Sequence, residues 1–422
     1  MTKIKSIFAR EILASGGAPS LEVDVTLDNG QIGTASISYG ASAGTKEAFV
    51  LLDGDAKRYN GKGMLKATLN INTKISPLLV GKEVTAQREI DEIMIKADGT
   101  ENKKNLGANA ILGVSMAVAR AAAINVGLEL YEYLAKSYQL PTSNYKLPKP
   151  MVVMIEGGMH ANNSTDLQEY LISALNNSTT AAENVRMEME IYQKLKALLT
   201  HDHLSTNVGN EGAFAPEGIG NNEKPLKLLV QAIELAGYKP GVDAGISLDA
   251  AASEFYENEK YILKTENKKL SSEEMIKLAT TWFAKYPIVS AEDFLSEFDW
   301  AHWPKLMQEA GNVKIVADDL TVTNTKLWQK AIDQKAANAI LIKLNQAGTV
   351  TETMDCCLLA NKHNLSTIPS HRGGGETNDT FLVDLAVAVG SDWIKVGPTR
   401  GERVCKYNRL MKIEEKLAQT HQ

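Results

Sequence analysis

The sequence predicts an α/β protein in two parts, a small N-terminal α+β domain over residues 1–140 followed by an α/β barrel over residues 141–422. Three observations predict it. A strand-and-turn pattern near the N-terminus gives way to helical patterns, a proline-dense segment follows, and the C-terminal half repeats a rhythm of short apolar run, charged residue, loop and helical pattern.

Residues 20–37 alternate apolar and polar around Asp28-Asn29-Gly30, a strong turn signal, which predicts a β-hairpin. Helical patterns dominate from there to about residue 137. The longest apolar segment, Ile111–Leu128, carries Arg120, Asn125 and two glycines, so it reads as a buried Ala-rich helix rather than a membrane span. Leu140–Pro150 holds three prolines in eleven residues and marks the domain junction. After residue 240, apolar runs end at Asp249, Glu292, Asp318, Lys343, His371 and Lys395, and from Glu292 onward they are spaced about one βα unit apart. Strands of an α/β barrel end at one rim, so these six side chains should converge there.

A chain of 422 residues is long enough for a large core, and 44% apolar with 23% charged residues is the composition of a globular protein. The net charge of -6 comes from acidic and basic residues mixed along the chain, which argues against nucleic acid or an anionic membrane as partner. Cys356, Cys357 and Cys405 form no C-x-x-C pair, and charge interrupts Met1–Glu11 before an apolar stretch reaches signal-peptide length. A cytoplasmic protein is expected.

Asp249, Glu292 and Asp318 offer hard oxygen ligands on successive strand ends, a donor set that selects magnesium or manganese over zinc. Lys343, His371, Arg372 and Lys395 are cationic groups suited to a phosphate, a carboxylate or proton transfer. Together they predict a small anionic substrate bridged to a metal.

The segments Gly40–Gly44, Gly157-Gly-Met-His-Ala161, Gln168-Glu-Tyr170, Gly209-Asn-Glu-Gly212, Ser247–Tyr256, Glu292-Asp293, Ala317–Asn324, Leu341–Gln346 and Ser370-His-Arg372 resemble, in order and spacing, those of the enolase family. The resemblance spans essentially the whole chain and implies an eight-fold barrel. It also implies magnesium-dependent dehydration of 2-phosphoglycerate to phosphoenolpyruvate, with two Mg2+ per site, in a homodimer or higher homo-oligomer. Asp249, Glu292 and Asp318 would hold the tighter ion, and Ser42, on a mobile loop over 38–46, would reach the second. Lys343 would take the carbon 2 proton, and Glu211, supported by Glu169, would assist loss of the carbon 3 hydroxyl. His160, Glu169, Lys343, His371, Arg372, Gly373 and Lys395 would contact the substrate.

That chemistry needs Lys343 neutral, its pKa lowered by magnesium and Lys395, and Glu211 protonated through neighbouring carboxylates such as Glu169. The chain departs from the family at several points. His371-Arg372 is followed by Gly373-Gly-Gly-Glu-Thr377 instead of Ser-Gly-Glu-Thr, an extra residue and a missing phosphate-binding serine; the amides of the glycine turn would replace it. Gly397–Arg403 is one residue short, a change expected to compensate in space. Glu156 and Asn210 replace Asn and Asp, exchanging a charge between positions expected to be neighbours, and Ser15-Gly-Gly-Ala-Pro-Ser20 lacks the usual arginine and asparagine. These departures leave two alternatives: a paralogue acting on a related phosphonate or phospho-acid, and a non-catalytic homologue.

Overall fold

The computed structural model describes residues 1–40 and 46–420. The expected hairpin is present as Pro19–Leu27 paired antiparallel with Ile32–Ser36. Its turn closes by Leu27 N–H to Gln31 O at 2.8 Å, with Gly30 at φ 86°, where a side chain would be strained. A further strand, Ile4–Leu13, pairs with Pro19–Leu27 at the sheet edge. Sequence reading missed it because only Ile4, Ile7 and Ala9 are buried, while Lys5, Ser6 and Phe8 are exposed, so no clean alternation shows.

Helix Ala108–Asn125 packs across this sheet, and glycine and alanine let it approach closely. A Cβ on Gly33 would lie 2.2 Å from Ala121 N and 2.5 Å from Ala117 O. It is the one described helix long and apolar enough to cross a membrane, and 83% of it is buried inside the protein. Helices Gln87–Asp98 and Leu130–Ser137 complete the domain, together with the stretch Leu65–Leu79, helical through a π turn at Ile71–Ile75.

The second half is an eight-stranded sheet with helices outside. In spatial order its strands are Lys149–Glu156, Glu169–Ala174, Ala244–Asp249, Ile288–Glu292, Lys314–Ala317, Ala339–Ile342, Ser366–Pro369 and Trp393–Val396. Trp393–Val396 pairs in parallel with Lys149–Glu156, and a bridge between Ser370 and Lys395 closes the barrel. Met151, Val153, Leu171, Val316, Leu341, Ile368 and Trp393 pack together in one apolar cluster.

One strand breaks the all-parallel pattern that the βα rhythm suggests. Glu169–Ala174 runs antiparallel to both neighbours. Its first residue therefore stands at the rim where the other strands end, which places Glu169 opposite Asp249 and Glu156.

Candidate active site

Glu156, Glu169, Asp249 and Glu292 form a row across four adjacent strands, all buried. Like charges placed directly opposite one another destabilise a sheet. What holds three of the four together is Lys395, itself 2% exposed, whose Nζ lies 2.9 Å from Glu169 Oε2, 2.9 Å from Asp249 Oδ2 and 2.7 Å from Glu292 Oε2. Burial alone would lower the Lys395 pKa, but these carboxylates outweigh it and hold the ammonium charged. Burial and Asp249 push Glu292 well above the usual carboxylate range, and among the described residues its buried Oε1 has no hydrogen-bond partner.

On the neighbouring strands Lys343 Nζ contacts Asp318 Oδ2, and Gln346 Nε2 donates to Asp318 Oδ1 at 2.8 Å. The expected lowering of the Lys343 pKa is not met by the chain's own groups. Burial acts in that direction, but Asp318 outweighs it and the pKa is raised. Asp293, at φ 41°, accepts the backbone N–H of Asp318 at 3.0 Å and of Asp319 at 2.7 Å, so it builds the turn that aims both carboxylates.

Glu211 projects from a loop gripped on every side. Glu156 accepts the N–H groups of Glu211 and Ala213, while Tyr192 and Thr399 donate to Gly212 O and Arg400 to Gly209 O. Two histidines face its carboxylate. His160 Nδ1 is 3.4 Å from Glu169 Oε1 and 3.6 Å from Glu211 Oε1, and His371 Nε2 is 3.3 Å from Glu211 Oε2. Gly397 N–H and Arg403 Nε both point at His371 Nδ1 at 3.4 Å, which fixes the tautomer with its proton on Nε2, toward Glu211. Burial lowers the pKa of both histidines, while Glu211 pulls in the other direction. Burial raises Glu211, yet His371 and His160 pull it below its ordinary value, while burial and Glu211 raise Glu169. The chain's own groups therefore favour protonation of Glu169 over Glu211, against the sequence expectation of a protonated Glu211.

The glycine turn also differs from expectation. Gly374 and Gly375 pair antiparallel with Gly40 and Tyr39, and of the three glycines only Gly373 lines the cavity. A Cβ there would lie 2.7 Å from His160 Nε2 and 2.8 Å from Glu211 Oε1, so a serine would push both side chains aside. Ser15 Oγ contacts Gly374 O and accepts from Glu376 N at 3.0 Å, which brings two of the departing segments together. The shortened segment also meets the lengthened one, through Arg403 Nη2 to Arg372 O at 3.0 Å. Arg372 is buried and pairs with Glu47 at 3.3 Å and Asn345 Oδ1 at 3.2 Å.

His160, Glu169, Glu211, Asp249, Asp318, Lys343, His371, Arg372, Gly373 and Lys395 line one cavity. A family model described as "Enolase, N-terminal domain" matches residues 4–134, and one described as "Enolase, C-terminal TIM barrel domain" matches residues 144–422. The chain belongs to the enolase family.

The enolase donor set can be tested against a divalent cation. Two clusters of described residues bring their ligand atoms within 4.8 Å of one another: His160, Glu169 and Glu211, and Asp293, Asp318 and Asp319. Of Asp249, Glu292 and Asp318 only Asp318 belongs to either, because Lys395 lies between Asp249 and Glu292. Hard oxygens without thiolates, and the unpartnered Glu292 Oε1, fit magnesium. Ser42 lies outside the described residues. Sequence reasoning overlooked Asp293, Asp319, Gln346 and Arg403 as site residues, although the motifs Glu292-Asp293, Ala317–Asn324 and Leu341–Gln346 carried the first three.

Proposed function

We propose that this enolase-family chain is a hydro-lyase that dehydrates 2-phosphoglycerate to phosphoenolpyruvate in the cytoplasm. The observation that carries the reading is a lysine and a glutamate, Lys343 and Glu211, facing one buried cavity from separate segments, with Arg372 and Lys395 beside them. A carbon acid next to a carboxylate needs a base on one carbon, an acid on the next, and fixed positive charge for the anion that forms between them.

Lys343 Nζ takes the proton from carbon 2. The carbon 3 oxygen leaves as water with a proton from Glu211. Lys395, held charged by its three carboxylates, and Arg372 neutralise the substrate's anionic groups. An arriving anion raises the proton affinity of the carboxylates around it and so favours the protonated form of Glu211. Asp249, Glu292 and Asp318 would hold magnesium, which would supply positive charge for the anion formed in the reaction. Exposed Phe8 and Leu13 on the edge strand Ile4–Leu13 support a homo-oligomer.

The crowded, serine-free Gly373 wall favours one alternative, a related phosphonate or phospho-acid substrate. Purified protein assayed with 2-phosphoglycerate and with its phosphonate analogue distinguishes the two readings. Turnover of 2-phosphoglycerate, lost with chelator and restored by magnesium, is expected; turnover of the analogue alone would overturn the first reading.

A further inference from the structure

Glu156 ends strand Lys149–Glu156 with no exposed surface. Its bonds go to backbone. Oε1 accepts from Glu211 N at 3.1 Å and from Ala213 N at 2.8 Å, and Oε2 lies 3.1 Å from the same Glu211 nitrogen. Main-chain bonds Glu156 N–H to Phe214 O at 2.8 Å and Phe214 N–H to Met154 O at 3.0 Å fasten the end of the loop to the same strand. The fit leaves no slack, since a Cβ on Gly209 would stand 2.3 Å from Glu156 Oε2 and one on Gly397 2.3 Å from Glu211 O. Asn210 donates its backbone N–H to His160 O at 3.4 Å, so the loop is also tied to the histidine that Glu211 faces.

We propose that Glu156 is a positioning residue, whose buried carboxyl group grips the backbone of Gly209–Ala213 and thereby aims the Glu211 side chain into the cavity. The inference rests on the reaction proposed above for the role of Glu211, but the grip itself does not. Two amides otherwise buried without acceptors would be costly, and a loop released from them would let the acid drift by ångströms. A displacement of about 1 Å at a reacting group can cost about 100-fold in rate. Burial and the neighbouring Glu211 push the Glu156 pKa up to about 8, so an uncharged acceptor is a fair mimic. One oxygen, Oε1, reaches both amides, and Glu156→Gln therefore keeps both bonds.

The test uses the full-length protein with magnesium, its Glu156→Gln variant and its Glu156→Leu variant. Amide hydrogen exchange of the peptide covering Val208–Phe214 should be at least tenfold faster in Glu156→Leu and near the parent rate in Glu156→Gln. Dehydration kcat should fall about 100-fold in Glu156→Leu with KM within about threefold, while exchange of the carbon 2 proton, which depends on Lys343, stays within about threefold of the parent. Unchanged amide exchange, or equal loss of carbon 2 exchange and dehydration in a folded variant, would overturn the proposal. A parent protein inactive on 2-phosphoglycerate, with the amide effect intact, would instead overturn the proposed reaction and leave the grip standing.

Discussion

Lys343 and Glu211 reach one cavity from separate segments and would act on different carbons, so their substitutions should separate the two half-reactions. Lys343→Ala should abolish exchange of the carbon 2 proton and lower turnover by about 10³-fold or more; Glu211→Gln should lower dehydration by about 10²–10⁴-fold yet leave exchange within severalfold. Equal loss of exchange in both, read by NMR in heavy water, would refute that division. Gly373→Ala places a methyl against His160 and Glu211 and should cut kcat/KM at least tenfold with little change in Tm. The raised pKa of Glu156 has a stability consequence with a definite sign. A carboxyl group that binds its proton more tightly when folded contributes its full stability below the unfolded pKa, and that contribution is lost as pH rises from about 4.3 toward about 8. Glu156→Gln should flatten this part of a stability curve measured by denaturant between pH 5 and 8. At this scale the sequence named residues that the fold gathers around one cavity, because strand ends and short motifs carry side-chain identity. It did not show which ion pairs they make: Lys395 binding three carboxylates, and Lys343 held charged by Asp318, depend on packing across strands far apart in the chain.

Among the elements, the strands that the sequence rhythm found run parallel to one another, and their continuous apolar runs end in charge. Lys149–Glu156 and Glu169–Ala174 escaped that rhythm because they pair antiparallel, with a short connection in place of a helix. Glu169 was still recognised, from its motif rather than from its place in a strand, and the reversed direction explains how a residue at a strand start joins a rim of strand ends. Helix Ala108–Asn125 was legible as a buried Ala-rich helix, and its crossing with Gly33 explains the composition. Gly33→Ala would drive a methyl into that helix backbone, with a cost of about 2 kcal/mol or more and a lower Tm by calorimetry.

For the molecule as a whole, the N-terminal sheet is stitched to the barrel beside the active site. Asp379 accepts from Arg120 Nη2 at 2.6 Å, Ser36 N at 2.8 Å and Phe381 N at 2.8 Å, and Ser38 Oγ donates to Glu376 at 2.6 Å. Asp379→Ala should therefore cost about 2–3 kcal/mol, whereas Asp355→Ala, which removes the exposed partner of Arg88, should cost under about 1 kcal/mol, both by denaturant unfolding. None of these contacts between the two halves was legible from sequence, since they join residues hundreds of positions apart. The central claim, that the cavity between these parts runs an enolase reaction, is tested most directly by following 2-phosphoglycerate with the purified protein and magnesium in heavy water by proton NMR. The account predicts loss of the carbon 2 proton signal together with growth of the vinyl protons of phosphoenolpyruvate. Neither change at any magnesium concentration, from protein shown to be folded, would contradict it.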